Sequence, residues 1–273
     1  MTASRPLKWF GGKGYLAKRI VSLFPPRDSY ITFCEPYFGG GAVLFAHNPN
    51  GKSEVVNDLN GDLTNFWQVL RGSEFGLFQK WIDTMPFSYE EWKMSKHPSR
   101  QRLGSEDVYS AMCFFVRYRQ SRQGLGKDFA TLSRNRTRRG MNEQVSAWLS
   151  AVEGLPEAHE RLKRVVVLND DACKVIRQQD GQKTLFYCDP PYLRSTRVTK
   201  DAYEHEMTEE QHGELLLCLG KIKGRFILSG YPSPMYRMHA DLNKWRRVDI
   251  QIDNKSSSAK VKEIKTECVW MNY

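Results

Sequence analysis

No apolar run in the chain approaches the ~20 residues needed to span a bilayer, and the opening MTASRPLKWFGGKG has no signal-peptide apolar stretch. Those absences argue against integral-membrane and secreted classes and predict a cytoplasmic chain with no membrane partner. Cysteine is sparse and scattered: six residues, at 34, 113, 173, 188, 218 and 268, include no CxxC pair. That spacing predicts neither a disulfide framework nor a zinc cluster, so the thiols read as free and buried, with no metal bound. Two nucleotide signatures are also incomplete. In Lys8-Trp9-Phe10-Gly11-Gly12-Lys13 the residue after the second lysine is Gly14 rather than the Ser or Thr that would hold magnesium, and no strand precedes it, which excludes a phosphate loop. The turn through Gly39, Gly40 and Gly41 lacks the third glycine of the dinucleotide fingerprint, whose place is taken by Leu44.

What is present is a globular composition. The chain has 273 residues and 31.7 kDa, is 40% hydrophobic and 26% charged, and has a mean hydropathy of −0.57. That suits one large domain or a core domain carrying an insertion. Its 41 Lys and Arg exceed its 31 Asp and Glu, giving a net charge of +10 and a pI near 9.3, which points to a polyanionic partner, nucleic acid first. Most of the excess lies in one stretch, where Arg117, Arg119, Arg122, Lys127, Arg134, Arg136, Arg138 and Arg139 stand against one acid, Asp128. Gly, Ser, Asn and Gln intervene, so a loop or hairpin suits the stretch better than a regular helix. Arginines can meet phosphates and guanine edges, Asn135 and the glutamines can meet adenine edges, and Tyr118 and Phe129 can stack or insert. The competing reading is a solvated basic loop with no partner.

Extended runs at Tyr30–Glu35, Glu54–Asn57, Val165–Leu168, Thr184–Cys188, Arg225–Ser229, Trp245–Ile252 and Glu267–Tyr273 predict seven strands. Helices are predicted at Gly14–Leu23 and Thr208–Leu219, where Thr208 and Gln211 have capping-box spacing. Their alternation with strands implies an α/β fold with parallel pairing through crossovers. From about Leu63 to Arg164 the alternation stops. Amphipathic patterns at Leu63–Arg71, Glu74–Met85, Tyr89–Lys96, Glu106–Arg117 and Glu143–Val152 predict a helical insertion that also holds the basic stretch. Ser88 with Glu91, and Ser105 followed by Glu106 and Asp107, read as helix starts.

Three features carry chemistry. The strand YITFCE runs directly into PYFGGGAVLF, a glycine-rich turn that brings backbone close to a ligand. Asp58 follows at the end of the next strand, 17 residues beyond Gly41, where a carboxylate can accept both hydroxyls of a ribose. Together these suggest a nucleoside-containing cofactor. The sharpest signal is Thr184 to Tyr192, an apolar strand ending in Asp189, Pro190, Pro191 and Tyr192. Pro191 disfavours the α region at Pro190, which holds the Pro190 carbonyl in an extended direction beside the Asp189 carboxylate. Two acceptors facing one way can grip the two N–H donors of an exocyclic amino group while Tyr192 stacks on the base.

In this order KWFGGK (8–13), FCEPYFGGGAV (33–43), NDLN (57–60) and DPPY (189–192) resemble the Dam-like N6-adenine DNA methyltransferases, the D12 class or alpha group. The run from Met207 through LSGY (228–231) to WMNY (270–273) resembles their phage and prophage members. The likeness implies a Rossmann-like methyltransferase sheet of seven strands with an antiparallel last hairpin. Residues 1–62 and 165–273 would form the catalytic domain, and 63–164 an inserted, mainly helical target-recognition domain. It implies site-specific transfer of a methyl group from S-adenosylmethionine to a flipped-out adenine of double-stranded DNA, leaving S-adenosylhomocysteine. No metal and no obligate protein partner are implied, and the setting is the cytoplasm of a bacterial or phage-infected cell, with restriction-modification, evasion of phage defence and regulation all open as the role.

Residue by residue, the resemblance puts Trp9 and Lys13 in the first cofactor motif. It puts Glu35, Pro36, Gly39 and Gly41 along the methionine part, Asp58 at the ribose, and Asp171 or its neighbour Asp170 near the cofactor's adenine amino group. Asp189, Pro190 and Tyr192 would form the target-adenine pocket, with Asp189 also bordering the cofactor. A cytosine-N4 enzyme usually has Ser where Asp189 stands. An RNA adenine methyltransferase, or a non-catalytic DNA-binding protein that kept the fold, are the alternatives.

Overall fold

The computed structural model describes residues 5–96, 107–197, 205–253 and 264–273. In chain order its elements are α1 (Ala17–Ser22), β1 (Thr32–Glu35), α2 (Ala42–Ala46), β2 (Ser53–Asn57), α3 (Gly61–Arg71), α4 (Phe75–Asp83), α5 (Tyr89–Met94), α6 (Val108–Arg119), β3 (Thr137–Arg138), β4 (Met141–Asn142), α7 (Glu143–Glu153), α8 (Leu155–Leu162), β5 (Val165–Leu168), α9 (Ala172–Gln179), β6 (Thr184–Cys188), α10 (Glu209–Leu219), β7 (Arg225–Gly230), α11 (Pro234–Asn243), β8 (Arg246–Asp253) and β9 (Ile264–Met271). Seven strands form one sheet in the order β5-β2-β1-β6-β7-β9-β8. The β1–β2, β1–β6 and β6–β7 ladders are parallel, whereas β7–β9 and β8–β9 are antiparallel. This is the α/β sheet with an antiparallel last hairpin that the resemblance implies. Among the described residues no helix is long and apolar enough to cross a membrane.

The chain divides into two compact units, one from 1–23, 39–50 and 60–169, the other from 24–38, 51–59 and 170–273. The first unit is mainly helical, with the β3–β4 hairpin and β5 as its strands. α3 starts where Asn60 Oδ1 accepts the Leu63 N–H at 2.9 Å, and its buried face is Leu63, Phe66, Trp67 and Leu70 at helical spacing. Phe66 packs against Phe78, Phe114 and Phe115. Indole donors bind carbonyls, Trp148 to Met85 at 3.0 Å and Trp92 to Arg117 at 3.2 Å.

Helix starts differ in detail from the sequence reading. Asp107 caps α6 through the Ser110 N–H at 2.8 Å, while Ser105 and Glu106 lie outside the described residues. α5 begins after Ser88, but the Ser88 side chain makes no cap bond; Gln120 Oε1 accepts the Ser88 N–H instead, at 3.0 Å.

In the second unit β6 lies between β1 and β7, and all five of its residues, TLFYC, are buried. A continuous apolar run is what a strand covered on both faces requires. The predicted capping box forms: Thr208 Oγ1 accepts the Gln211 N–H at 3.3 Å and Gln211 Oε1 accepts the Thr208 N–H at 2.9 Å. Two helices that the sequence reading did not include flank this sheet region. α9 follows the cap residue Asp171, and α11 follows Ser233 with Pro234 in its first turn.

Candidate active site and basic surface

Open parallel sheets bind ligands beyond the carboxyl ends of their strands, and in the second unit that edge is acidic. β1 ends at Glu35, and its register pairs Glu35 with Val56 and Cys34 with Phe186. Asp58 and Asp189 therefore each lie two residues past the level of Glu35. Glu35 is buried, Asp58 and Asp189 are half-buried, and Oε1 of Glu35 and Oδ1 of Asp189 are closed off from bulk solvent.

Asn57 binds the strand ends together. Its Nδ2 donates to the Pro36 carbonyl at 3.0 Å and to the Asp170 carbonyl at 2.9 Å, and its Oδ1 accepts the Asp170 N–H at 2.9 Å. The adjacent acids then separate in role. Asp170 accepts from Lys174 Nζ at 2.6 Å and from the Asp171 N–H at 2.8 Å, contacts that hold its carboxyl below the usual range, the lysine bond foremost. Asp171 is exposed and caps α9 through the Lys174 N–H at 2.8 Å.

Beyond Asp189, Pro190 and Tyr192 are buried. The Tyr192 hydroxyl donates to Glu267 Oε1 at 2.6 Å, and its ring meets Tyr231 edge-on, centroids 4.8 Å apart at 75°. Burial, then the Asp189 and Glu267 carboxylates, push the phenol well above its ordinary range, so it stays a neutral donor. Neither Glu267 nor Tyr231 is among the sequence-derived site residues; the signal for Glu267 is an acid directly before the apolar run 268–271. Behind this turn, buried His212 shares its Nδ1 with the Tyr236 hydroxyl at 2.9 Å. Burial raises the Cys34 and Cys188 thiols, which keeps both protonated.

Four of the sequence-derived cofactor residues, Trp9, Lys13, Gly39 and Gly41, fall in the first unit. Gly39 and Gly41 have φ of +49° and +68°, the left-handed region that favours glycine. A Cβ on Gly39 would stand 3.0 Å from Trp9 Nε1, and one on Gly40 only 2.7 Å from Trp9 Cβ. The close approach these glycines allow is thus to Trp9, which packs on Tyr118 at 4.9 Å. Lys13 is buried and donates to the Gly11 carbonyl at 3.1 Å.

The basic stretch sorts into two sets. Arg117 Nε donates to the Gly126 carbonyl at 3.1 Å, and Arg119, half-buried, donates to the Ala147 carbonyl at 2.8 Å, with desolvation lowering it to about 10. Arg139 makes a two-pronged pair with Glu153 at 2.9 Å. Arg122, Lys127, Arg134, Asn135, Arg136 and Arg138 are exposed, the last on a hairpin whose turn is Arg139-Gly140 with φ of +57° and +74°. The two rings expected to stack or insert pack on neighbouring rings: Tyr118 on Trp9 and Phe114, and half-buried Phe129 on Phe87 and Trp92.

S-adenosylmethionine has two cationic centres, a pair of ribose hydroxyls and an amino group, and Glu35, Asp58, Asp171 and Asp189 are acceptors of matching chemistry. No group of three or more His, Cys, Asp and Glu side chains placed to hold a metal occurs among the described residues.

A family model described as D12 class N6 adenine-specific DNA methyltransferase matches residues 9–265. The chain is 26% identical over 280 residues to the type II methyltransferase M1.LlaDCHI of Lactococcus lactis subsp. cremoris, covering 97% of this chain and 94% of that protein. It is 25% identical over 223 residues to the DNA N-6-adenine-methyltransferase of Escherichia phage P1, covering 78% of this chain. It is also 25% identical over 212 residues to the type II methyltransferase M.FokI of Planomicrobium okeanokoites, covering 72%. It spans 27% and 30% of the lengths of the last two.

Proposed function

The chain belongs to the D12 class of N6 adenine-specific DNA methyltransferases, and from that premise we propose how its residues carry methyl transfer to an adenine of double-stranded DNA. The observation that carries the assignment of roles is the Asp189-Pro190-Pro191-Tyr192 turn at the end of β6, two residues past the level of buried Glu35.

S-adenosylmethionine, when bound, supplies a methyl group that its sulfonium already makes strongly electrophilic. The adenine amine is the poor partner, because its lone pair is delocalised into the ring. Asp189 and the Pro190 carbonyl would accept hydrogen bonds from its two N–H groups, turn the lone pair outward and stabilise the positive charge that grows on nitrogen, and the methylated nitrogen would then release one of these protons by way of Asp189 to solvent. Tyr192 gives the base a stacking face worth roughly 1–3 kcal/mol, which offsets part of the few kcal/mol needed to flip it from the duplex. Asp58 holds the ribose hydroxyls and Asp171 the cofactor's amino group. Glu35 and Pro36, with Trp9, Lys13, Gly39 and Gly41, serve the remainder of the cofactor. No cysteine acts as nucleophile.

We assign 1–62 and 165–273 to catalysis and 63–164 to target recognition. Arg122, Lys127, Arg134, Asn135, Arg136 and Arg138, all exposed, make the DNA contacts, while Arg117, Arg119 and Arg139 hold the surface that presents them. Restriction-modification inside a bacterial or phage-infected cell is the setting this chemistry fits.

Expression in a methylation-free host, with genome-wide mapping of N6-methyladenine by single-molecule sequencing, tests the reading. One short motif modified nearly to completion is the expected result. Unmodified DNA, or modified adenines without a shared motif, would overturn it.

A further inference from the structure

We propose that Glu267 is a positioning residue of the target-base pocket, holding the Tyr192 ring through its phenol and raising that ring's electron density. The inference rests on the reading of Asp189-Pro190-Pro191-Tyr192 as the adenine pocket. Its basis is a short bond between groups that are both buried: the Tyr192 hydroxyl lies 2.6 Å from Glu267 Oε1, with the two residues 6% and 2% exposed. At this distance a phenol donating to a carboxylate is a charge-assisted bond.

The sheet explains why the carboxylate is there. Gly230 of β7 pairs with Cys268 of β9, so the next residues along the two strands are Tyr231 and Glu267. Tyr231 meets the Tyr192 ring edge-on. The ring is thereby held at its hydroxyl and against the Tyr231 ring, which a stacking platform needs if the base is to arrive in one orientation.

A buried charge is costly, and the four residues that follow Glu267 in the strand, Cys268, Val269, Trp270 and Met271, are all buried and apolar. The charge has a use at Tyr192. Donation to a carboxylate pushes electron density into the ring, and an electron-rich face attracts cations more strongly. The amine becomes cationic as it takes the methyl group, so the stack strengthens along the reaction, and the gain appears in turnover rather than in binding.

The experiment uses the full chain, radiolabelled S-adenosylmethionine and genomic DNA from a methylation-free host, with Glu267→Gln, Tyr192→Phe and the double variant. Glu267→Gln should lower kcat about 10-fold, the scale of losing a supporting partner, with KM for DNA and the cofactor Kd from titration unchanged. The double variant should be no slower than the slower single one, because both changes remove one bond. Multiplying losses, an unchanged kcat, or a cofactor Kd that rises in step would overturn the proposal. If Glu267→Gln does not fold, Glu267→Asp, whose carboxylate is one carbon shorter, takes its place in the same cycle. A parent chain that methylates no DNA would sink the pocket reading and this inference together; a parent that does, with multiplying losses, sinks this inference alone.

Discussion

Asn57 and Asp170, far apart in sequence, exchange a pair of hydrogen bonds, side chain to backbone, each of 2.9 Å. The pair sets the end of β2 beside the start of α9, so that Asp58 and Asp171 follow from fixed points. Both partners of Asn57 Nδ2 are carbonyls. Asn57→Asp therefore presents a buried carboxylate to two acceptors, and a destabilisation on the order of 3 kcal/mol is expected from the unpaired charge. Asn57→Ala should cost less. Urea unfolding measures both; if the two variants are equally stable, the amide is not the connection between these segments.

Asp189→Ala should abolish measurable methyl transfer, a loss on the order of 10²-fold or more from removing one preorganised electrostatic interaction. DNA affinity should stay within about 2-fold, since uniform binding is not what the carboxylate supplies. Asp189→Asn keeps an acceptor oxygen but loses the charge, and should fall between the two. Near-normal turnover of Asp189→Ala would remove the residue from the reaction.

The exposed and the anchored arginines make opposite predictions. Replacing Arg134, Arg136 and Arg138 by Ala should flatten the dependence of log K on log salt by about 0.9 for each phosphate that is no longer neutralised, with stability changed by less than about 0.5 kcal/mol. Arg119→Ala should leave the salt slope as it is and lower stability by roughly 1.5–3 kcal/mol, the scale of a hydrogen bond made by a charged donor. Salt titrations of binding, paired with thermal melts, separate the two sets.

That contrast shows where sequence was legible. β6 lies at the residues that its apolar run marks, because a strand buried between neighbours has to be apolar throughout; β5 lies at its run too, although it is the edge strand and leaves Val166 exposed. The acids at the strand ends were equally visible, since position after such a run is a local property. Charge counting could not see that α6 continues through Arg119, which ties Arg117 and Arg119 to backbone carbonyls. α9 was hidden by the polar sequence ACKVIRQQ, where only Ala172, Val175 and Ile176 face inward. Glu267 was hidden for a different reason: its burial depends on the pairing of Gly230 with Cys268, which joins strands far apart in sequence.

His212 gives the molecule a predictable acid sensitivity. Its ring is buried against the Tyr236 hydroxyl, and desolvation, helped by the like charge of Arg197 and opposed by the Pro191 carbonyl, lowers it from 6.5 to about 4. The unfolded chain therefore takes up this proton first as pH falls. Stability from this group is complete above about pH 6.5 and is lost progressively toward pH 4, by roughly 3 kcal/mol at about 1.4 kcal/mol per pH unit. Urea midpoints measured between pH 7 and pH 4.5 should fall steeply for the parent. His212→Gln, which keeps a hydrogen-bonding amide beside Tyr236 but binds no proton, should show a shallower fall whatever its stability at neutral pH. Parallel curves for the two proteins would mean that the acid loss comes from other groups.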